Sequence, residues 1–275
     1  MFWGRVLEIL DTSMTTPEPY GVFHLIWFAL SIAVGVLLCV TCKDTARYAR
    51  RIVFITAVIV TVLEIYKQVN YTFSFDGTAI TADYQWYAFP WQFCSTPMYI
   101  GLLAGLTRGK MHDSLCAYLA TFAVFAGACV MFYPNDVFIS TVGINIQTMI
   151  CHGSMLTVGI YLLASGYVKL EHKTILKAIP VFCAVIAVAI VLNEIAYATG
   201  LLETETFNMF FISPHCDPHL PVYSTVQQHV AFPWCLIIYI AGFSLAAYLM
   251  LLIAMGIQSI VGKKPAAQKK EITVK

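Results

Sequence analysis

Charge is what this sequence has least of. Only 11% of its 275 residues are Asp, Glu, Lys or Arg, while 59% are hydrophobic. A soluble domain carries roughly a quarter charged residues, so the composition excludes a water-soluble globule and indicates an integral membrane protein. No cleavable leader is expected, because Arg5, Glu8, Asp11 and Glu18 interrupt the first stretch of chain. There is no glycine-rich phosphate loop, no zinc-protease helix motif and no basic footprint for nucleic acid. Nine cysteines are scattered, mostly inside apolar runs, so no disulfide framework is implied.

What is present is a series of apolar runs. A bilayer crossing takes about 20 helical residues. Seven spans satisfy this: Tyr20–Thr41, Ile52–Asn70, Ala88–Leu106, Leu115–Phe132, Thr141–Ala164, Thr174–Thr199 and Val230–Ile257. The cations then alternate. Lys43, Arg47, Arg50 and Arg51 follow span one, and Arg108 and Lys110 follow span three. Lys169, Lys173 and Lys177 lie at the next odd-numbered connection, and Lys263, Lys264, Lys269, Lys270 and Lys275 in the tail. These are 14 of the 16 Lys and Arg, and the even-numbered connections contain none. Basic segments stay cytoplasmic, which places the N-terminus outside and the C-terminus inside. The expected architecture is an all-α, seven-helix domain over residues 1–262 with a basic cytoplasmic tail over 263–275. The expected location is the cytoplasmic membrane of a prokaryotic cell, as a multi-pass protein.

A weak internal repeat supports a 3+1+3 arrangement. His24, Glu64 and Phe89-Pro90-Trp91 recur in order as His152, Glu194 and Phe232-Pro233-Trp234. Superposition of spans 1–3 on spans 5–7 is expected from these matches.

Polar groups at bilayer depth are costly and usually face protein, a cavity or each other. Phe89–Tyr99 concentrates them, with Gln92, Cys94, Ser95 and Thr96 between Pro90 and Pro97. Pro97 has no N–H for the carbonyl of Phe93, which predicts a kink beside Cys94. Cys94 is either a small packing residue or a nucleophile. Glu64 and Lys67 lie three apart on one helix face and are expected to pair. That pair fits a structural ion bridge as well as a site. Gln147 and His152 are in span five. His152 has no local counter-charge, and Gly153 and Ser154 leave room beside it. A Cys and a His from different helices can make a nucleophile–base pair for acyl transfer. Glu194 with Asn193 and Tyr197 suits interhelical hydrogen bonding. Cys39-Val40-Thr41-Cys42 has metal or redox spacing but no second pair. His215-Cys216-Asp217-Pro218-His219 is either a metal-holding loop or a polar cap.

These motifs together resemble the YwaF-like integral membrane protein family. The resemblance rests on Pro90-x-Gln92-x-Cys94, Glu64 with Lys67, His152, and the Asn208-x-x-Phe211…Pro214 loop. It spans essentially the whole chain. The position of Gln92 is often His in that family, so no second base is offered there. The family is similar to an animal transmembrane acyltransferase of ether phospholipids and, more distantly, to hydrolases of fatty-acid esters that use Thr and His. The resemblance implies an intramembrane lipid acyltransferase or acyl hydrolase. Cys94 would be the nucleophile and His152 the general base. Glu64, Lys67, Gln92, Ser95, Thr96, Gln147, Glu194 and Asn208 would bind substrate. The expected partners are membrane lipids, an acyl phospholipid or lysophospholipid, with no nucleic acid, no metal and no cofactor. The competing class is a small-solute transporter or receptor of the same 3+1+3 architecture.

Overall fold

A computed structural model describes residues 2–135, 137–200, 206–216, 220 and 222–261. The predicted basic tail lies outside the described residues. The chain is mostly helical. α1 is Phe2–Leu10, α2 Val22–Thr41 and α3 Thr45–Asn70. A short hairpin, β1 (Phe73–Phe75) with β2 (Ile80–Ala82), follows α3. Then come α4 (Thr96–Leu106), α5 (Gly109–Phe132), α6 (Val142–Ala164) and α7 (Lys173–Ala198). A short α8 (Tyr223–His229) leads into α9 (Phe232–Val261).

Six helices among the described residues are long and apolar enough to span a bilayer: α2, α3, α5, α6, α7 and α9. They correspond to six of the seven expected spans. The third expected span, Ala88–Leu106, is not one helix. A 3-10 turn at Trp86–Ala88 gives way to irregular backbone, and the helix begins only at Thr96. Pro97 sits in the first turn of α4, where its missing N–H has no intrahelical partner to lose. The expected kink beside Cys94 is therefore a helix start. The Phe93 carbonyl is approached by the Thr96 hydroxyl at 3.3 Å, and the Gln92 carbonyl accepts the Ser95 and Thr96 amides at 2.9 and 3.1 Å.

Burial separates inner from outer helices. The most apolar windows of α5 and α6 are 78% and 72% buried, against 17% for α2 and for α9. Helices α5 and α6 therefore make the core, and the outer helices turn apolar faces to lipid. Gly127 brings the two together: a Cβ there would meet the His152 carbonyl oxygen at 2.7 Å and Met155 Cβ at 2.8 Å. A π turn interrupts α5 at Leu119–Ala123, with all five residues buried.

The N-terminal segment is tied to the C-terminal part of α3 and the start of α6. Ser13 bridges Thr141, and Tyr66 Oη donates to the Leu10 carbonyl at 2.7 Å. His24 is structural: its Nδ1 accepts from the Tyr20 amide at 3.2 Å, and its Nε2 lies 3.0 Å from the Met131 carbonyl. The two halves of the proposed repeat have different surroundings. Glu64 is buried, whereas Glu194 is exposed. Phe232-Pro233-Trp234 opens a regular helix, whereas Phe89-Pro90-Trp91 lies in irregular backbone.

The loop over residues 206–216 plugs into the bundle. Met209, Phe210 and Ile212 are fully buried. The Asn193 side chain makes two bonds to Met209, at 3.1 Å to its carbonyl and 2.8 Å from its amide. Tyr239 Oη donates to the Phe210 carbonyl at 2.9 Å. Phe210 and Phe211 take positive φ angles of 60° and 56°, a strained conformation for aromatic residues.

Two outcomes are expected. Gly127→Val should destabilise by about 1–3 kcal/mol through overpacking. Gly256→Val, with open space around it, should be near neutral. Thermal unfolding in detergent compares them, and equal shifts would contradict the close α5–α6 approach. In the hairpin, Asp76 Oδ1 accepts from the Ala79 amide and from the Thr78 hydroxyl and amide, at 2.7–2.8 Å. These bonds lower its pKa from 3.8 to about 2. A depressed carboxylate pKa stabilises the turn fully above the unfolded value, and the effect is lost as pH falls through the folded value. Hydrogen exchange at the Thr78 and Ala79 amides should therefore stay slow at pH 4 and accelerate as pH approaches 2. Protection unchanged at pH 2 would contradict this.

Candidate active site

Cys94 lies in the irregular segment before α4, and His152 lies in the middle of α6. Both line one cavity of about 640 Å³. Its walls are mainly apolar, from Phe93, Phe125, Val130, Tyr239 and Phe243, with Gln92, Thr148 and Asn208 as polar contributors. The His152 ring lines the same cavity as the Cys94 thiol and is close enough to interact with it electrostatically. His152 Nδ1 lies 2.8 Å from the Thr148 carbonyl, one turn back on α6. A carbonyl can only accept, so Nδ1 carries a proton, and in the neutral ring Nε2 keeps its lone pair. That tautomer is the one a general base needs. Cys151, one residue earlier, donates its thiol to the Cys94 carbonyl at 3.6 Å and closes the segment onto α6.

Beside the cavity sits a buried charged network. Lys67 Nζ is 2.8 Å from Glu64 Oε1, as the three-residue spacing predicts. Glu64 also accepts from Gln68 Nε2 at 2.8 Å and from Gln147 Nε2 at 3.4 Å. Gln68 continues the network: Tyr84 Oη donates to its Oε1 at 2.6 Å, and its Nε2 reaches the Ala88 carbonyl at 2.9 Å. Lys67 is within Coulombic reach of both Cys94 and Cys151. A negative sulfur at Cys94 would therefore face a cation as well as an imidazole.

Gln92 uses both ends of its amide on the plug loop. Its Nε2 donates to the Asn208 carbonyl at 3.1 Å, and its Oε1 accepts from the Phe210 amide at 3.0 Å. Asn208 Oδ1 accepts from the Ser213 amide at 2.9 Å. Its Nδ2 is buried with no hydrogen-bond partner among the described residues.

The expected site residues thus divide. Cys94, His152, Gln92 and Asn208 meet at the cavity, and Glu64, Lys67 and Gln147 form the adjoining network. Ser95 and Thr96 are buried and do not line the cavity. The Thr96 hydroxyl lies 3.3 Å from Tyr118 Oη. Glu194 is apart, half-exposed, 3.2 Å from His215, whose ring stacks on Tyr197 at 3.5 Å. Asp217, Pro218 and His219 of the expected metal-or-cap loop lie outside the described residues. Sequence reasoning missed Thr148 and Tyr84. Thr148 was accessible through the four-residue helical spacing to His152. Tyr84 sits in a loop and left no periodic signal.

Residues 19–255 match the model of the TMEM164 family. The chain belongs to the TMEM164 family. The matched region takes in every residue of the cavity and of the charged network. Searches of curated proteins and of solved structures found no match. TMEM164 family membership and the six apolar helices agree on a multi-pass membrane protein.

The charged network makes a stability prediction. Removing one partner of a buried ion pair leaves the other uncompensated, at a cost of about 3–5 kcal/mol. Glu64→Ala should therefore lower stability in detergent by about that amount, whereas Glu171→Ala, which removes only a partly exposed pair with Lys177, should change it by less than about 1 kcal/mol. Equal losses would show that the Lys67 ammonium is solvated by water and does not depend on Glu64.

Proposed function

We propose that this chain transfers acyl groups between membrane lipids through a thioester on Cys94. The observation that carries the reading is the shared cavity: Cys94 and His152 both line one mainly apolar space of about 640 Å³. That size and lining suit a ligand that is mostly hydrocarbon. The resemblance to a transmembrane phospholipid acyltransferase supports the same chemistry.

In this reading His152 Nε2 takes the thiol proton, and the sulfur attacks the ester carbonyl carbon of an acyl phospholipid. The tetrahedral intermediate collapses, the C–O bond breaks, and the imidazolium returns the proton to the departing lysophospholipid. The reverse sequence delivers the acyl group to a second lipid hydroxyl or, in hydrolysis, to water. Thr148 holds the imidazole tautomer. The Glu64–Lys67 network complements negative charge at sulfur.

The segment before α4 and α4 together would form the third of seven crossings, with the N-terminus outside and the basic connections in the cytoplasm. The YwaF-like relation and a bacterial cytoplasmic membrane fit this arrangement.

The test uses the full chain in nanodiscs containing diacyl phosphatidylcholine and phosphatidylethanolamine. A hydroxylamine-labile acyl group should appear on Cys94 and be absent in Cys94→Ala. His152→Ala should slow its formation by about a hundredfold, as loss of a general base does. Cys39→Ala should leave it unchanged. Lipid turnover at the wild-type rate by Cys94→Ala would refute the mechanism and favour a transporter.

A further inference from the structure

In any such transfer the attacked carbonyl oxygen becomes an oxyanion, and apolar walls cannot stabilise it. A donor must therefore face the cavity near Cys94. Two nearby side chains that look suited are held by other bonds. Gln92 donates one N–H to the Asn208 carbonyl and accepts at its oxygen from the Phe210 amide, which ties its side chain to the plug loop. The Thr96 hydroxyl faces the Phe93 carbonyl and Tyr118.

Asn208 differs. It lines the same cavity as Cys94 and His152 and is 4% exposed. Its amide orientation is settled by the Ser213 N–H, which donates to Oδ1 at 2.9 Å, so the NH₂ is the other end. That NH₂ has no partner among the described residues. A buried donor left unpaired is costly and rare in a native structure. Its position is also over-determined. Gln92, two residues from the nucleophile, holds the Asn208 backbone, and the strained turn at Phe210 and Phe211 follows directly. Strain held in place this way belongs with functional groups.

We propose that Asn208 Nδ2 is the oxyanion donor of the acyl-transfer step. The inference rests on the reading of Cys94 as the nucleophile. When the Cys94 sulfur bonds to the ester carbon, the π pair of the carbonyl moves onto oxygen, and Nδ2–H donates to it. The pair returns when the lysophospholipid oxygen leaves with the proton from His152. The same donor serves the second half-reaction, when an acceptor hydroxyl attacks the thioester.

The experiment measures Cys94 acylation by diacyl phosphatidylcholine in nanodiscs and, separately, alkylation of Cys94 by iodoacetamide. Alkylation displaces iodide and forms no oxyanion, so it reports the thiol and its surroundings alone. Asn208→Leu keeps similar bulk without a donor or a charge, and Asn208→Asp replaces the donor by an acceptor. Both should slow acylation by about 10²–10³-fold, with KM for the phospholipid held within about threefold. Asn208→Leu should be alkylated within about threefold of wild type. Acylation by Asn208→Leu within threefold of wild type would overturn the assignment while leaving the Cys94 thioester intact. A parallel loss of alkylation would overturn it in favour of a structural role for the loop. No thioester on the wild-type chain would overturn the parent reading and this one together.

Discussion

The two-point bond from Gln92 to the plug loop is the interaction on which the site depends. Hydrocarbon offers no partner for backbone N–H and C=O groups, so irregular backbone survives at membrane depth only where protein satisfies it. The segment from Phe89 to Ser95 is such a backbone. Gln92 supplies a carbonyl for the first turn of α4 and a side-chain amide for Asn208 and Phe210. One residue thus joins the irregular segment before α4 to a loop more than a hundred positions later. Cys94 can then stand at the end of a helix, facing a cavity, instead of in the middle of a helix facing neighbours.

The second constraint is the buried charge beside the cavity. A lone ion pair in such surroundings is poor evidence for stability, because desolvation offsets much of the attraction. Here the carboxylate of Glu64 has three donors, from Lys67, Gln68 and Gln147, which lie on α3 and α6. The network is therefore also a fastener between helices. It holds a cation close enough to the thiol to interact with it electrostatically. A bundle with apolar residues at these positions could pack as well, but it would present no charge to Cys94.

Much of this was legible in the sequence, for reasons that differ by element. Apolar length located α2, α3, α5, α6, α7 and α9, because crossing a bilayer demands it. The Glu64–Lys67 contact followed from helical spacing. The third span misled because its composition is apolar enough for a helix, while what ends the helix is a tertiary bond from Gln92. Pro97 was read as a kink for the same reason: a proline at a helix start and one inside a helix look alike until the start is known. Glu194 matched Glu64 by sequence position, yet a short match says nothing about burial, and the two carboxylates have unlike surroundings. The π turn at Leu119–Ala123 has no local signal, since it depends on packing across the core.

A membrane-embedded site announces itself by what it leaves unpaired. Each polar atom inside the bundle is expensive unless bonded, so evolution of a stable fold removes or satisfies those that have no use. Four buried side-chain atoms lack partners among the described residues: Asn208 Nδ2, Tyr223 Oη, Gln227 Oε1 and Ser244 Oγ. The last three lie on α8 and α9 and none lines the main cavity; only Asn208 does. Add the lone pair of His152 Nε2, freed by the Thr148 carbonyl, and the Cys94 thiol within its reach. In the proposed acyl-transfer reading these atoms would serve as nucleophile, base and donor. A transport path would need polar groups distributed along a route between two surfaces. Here Cys94, His152 and Asn208 line one mainly apolar pocket, an arrangement that suits the proposed attack on a carbonyl carbon at the end of a hydrocarbon chain.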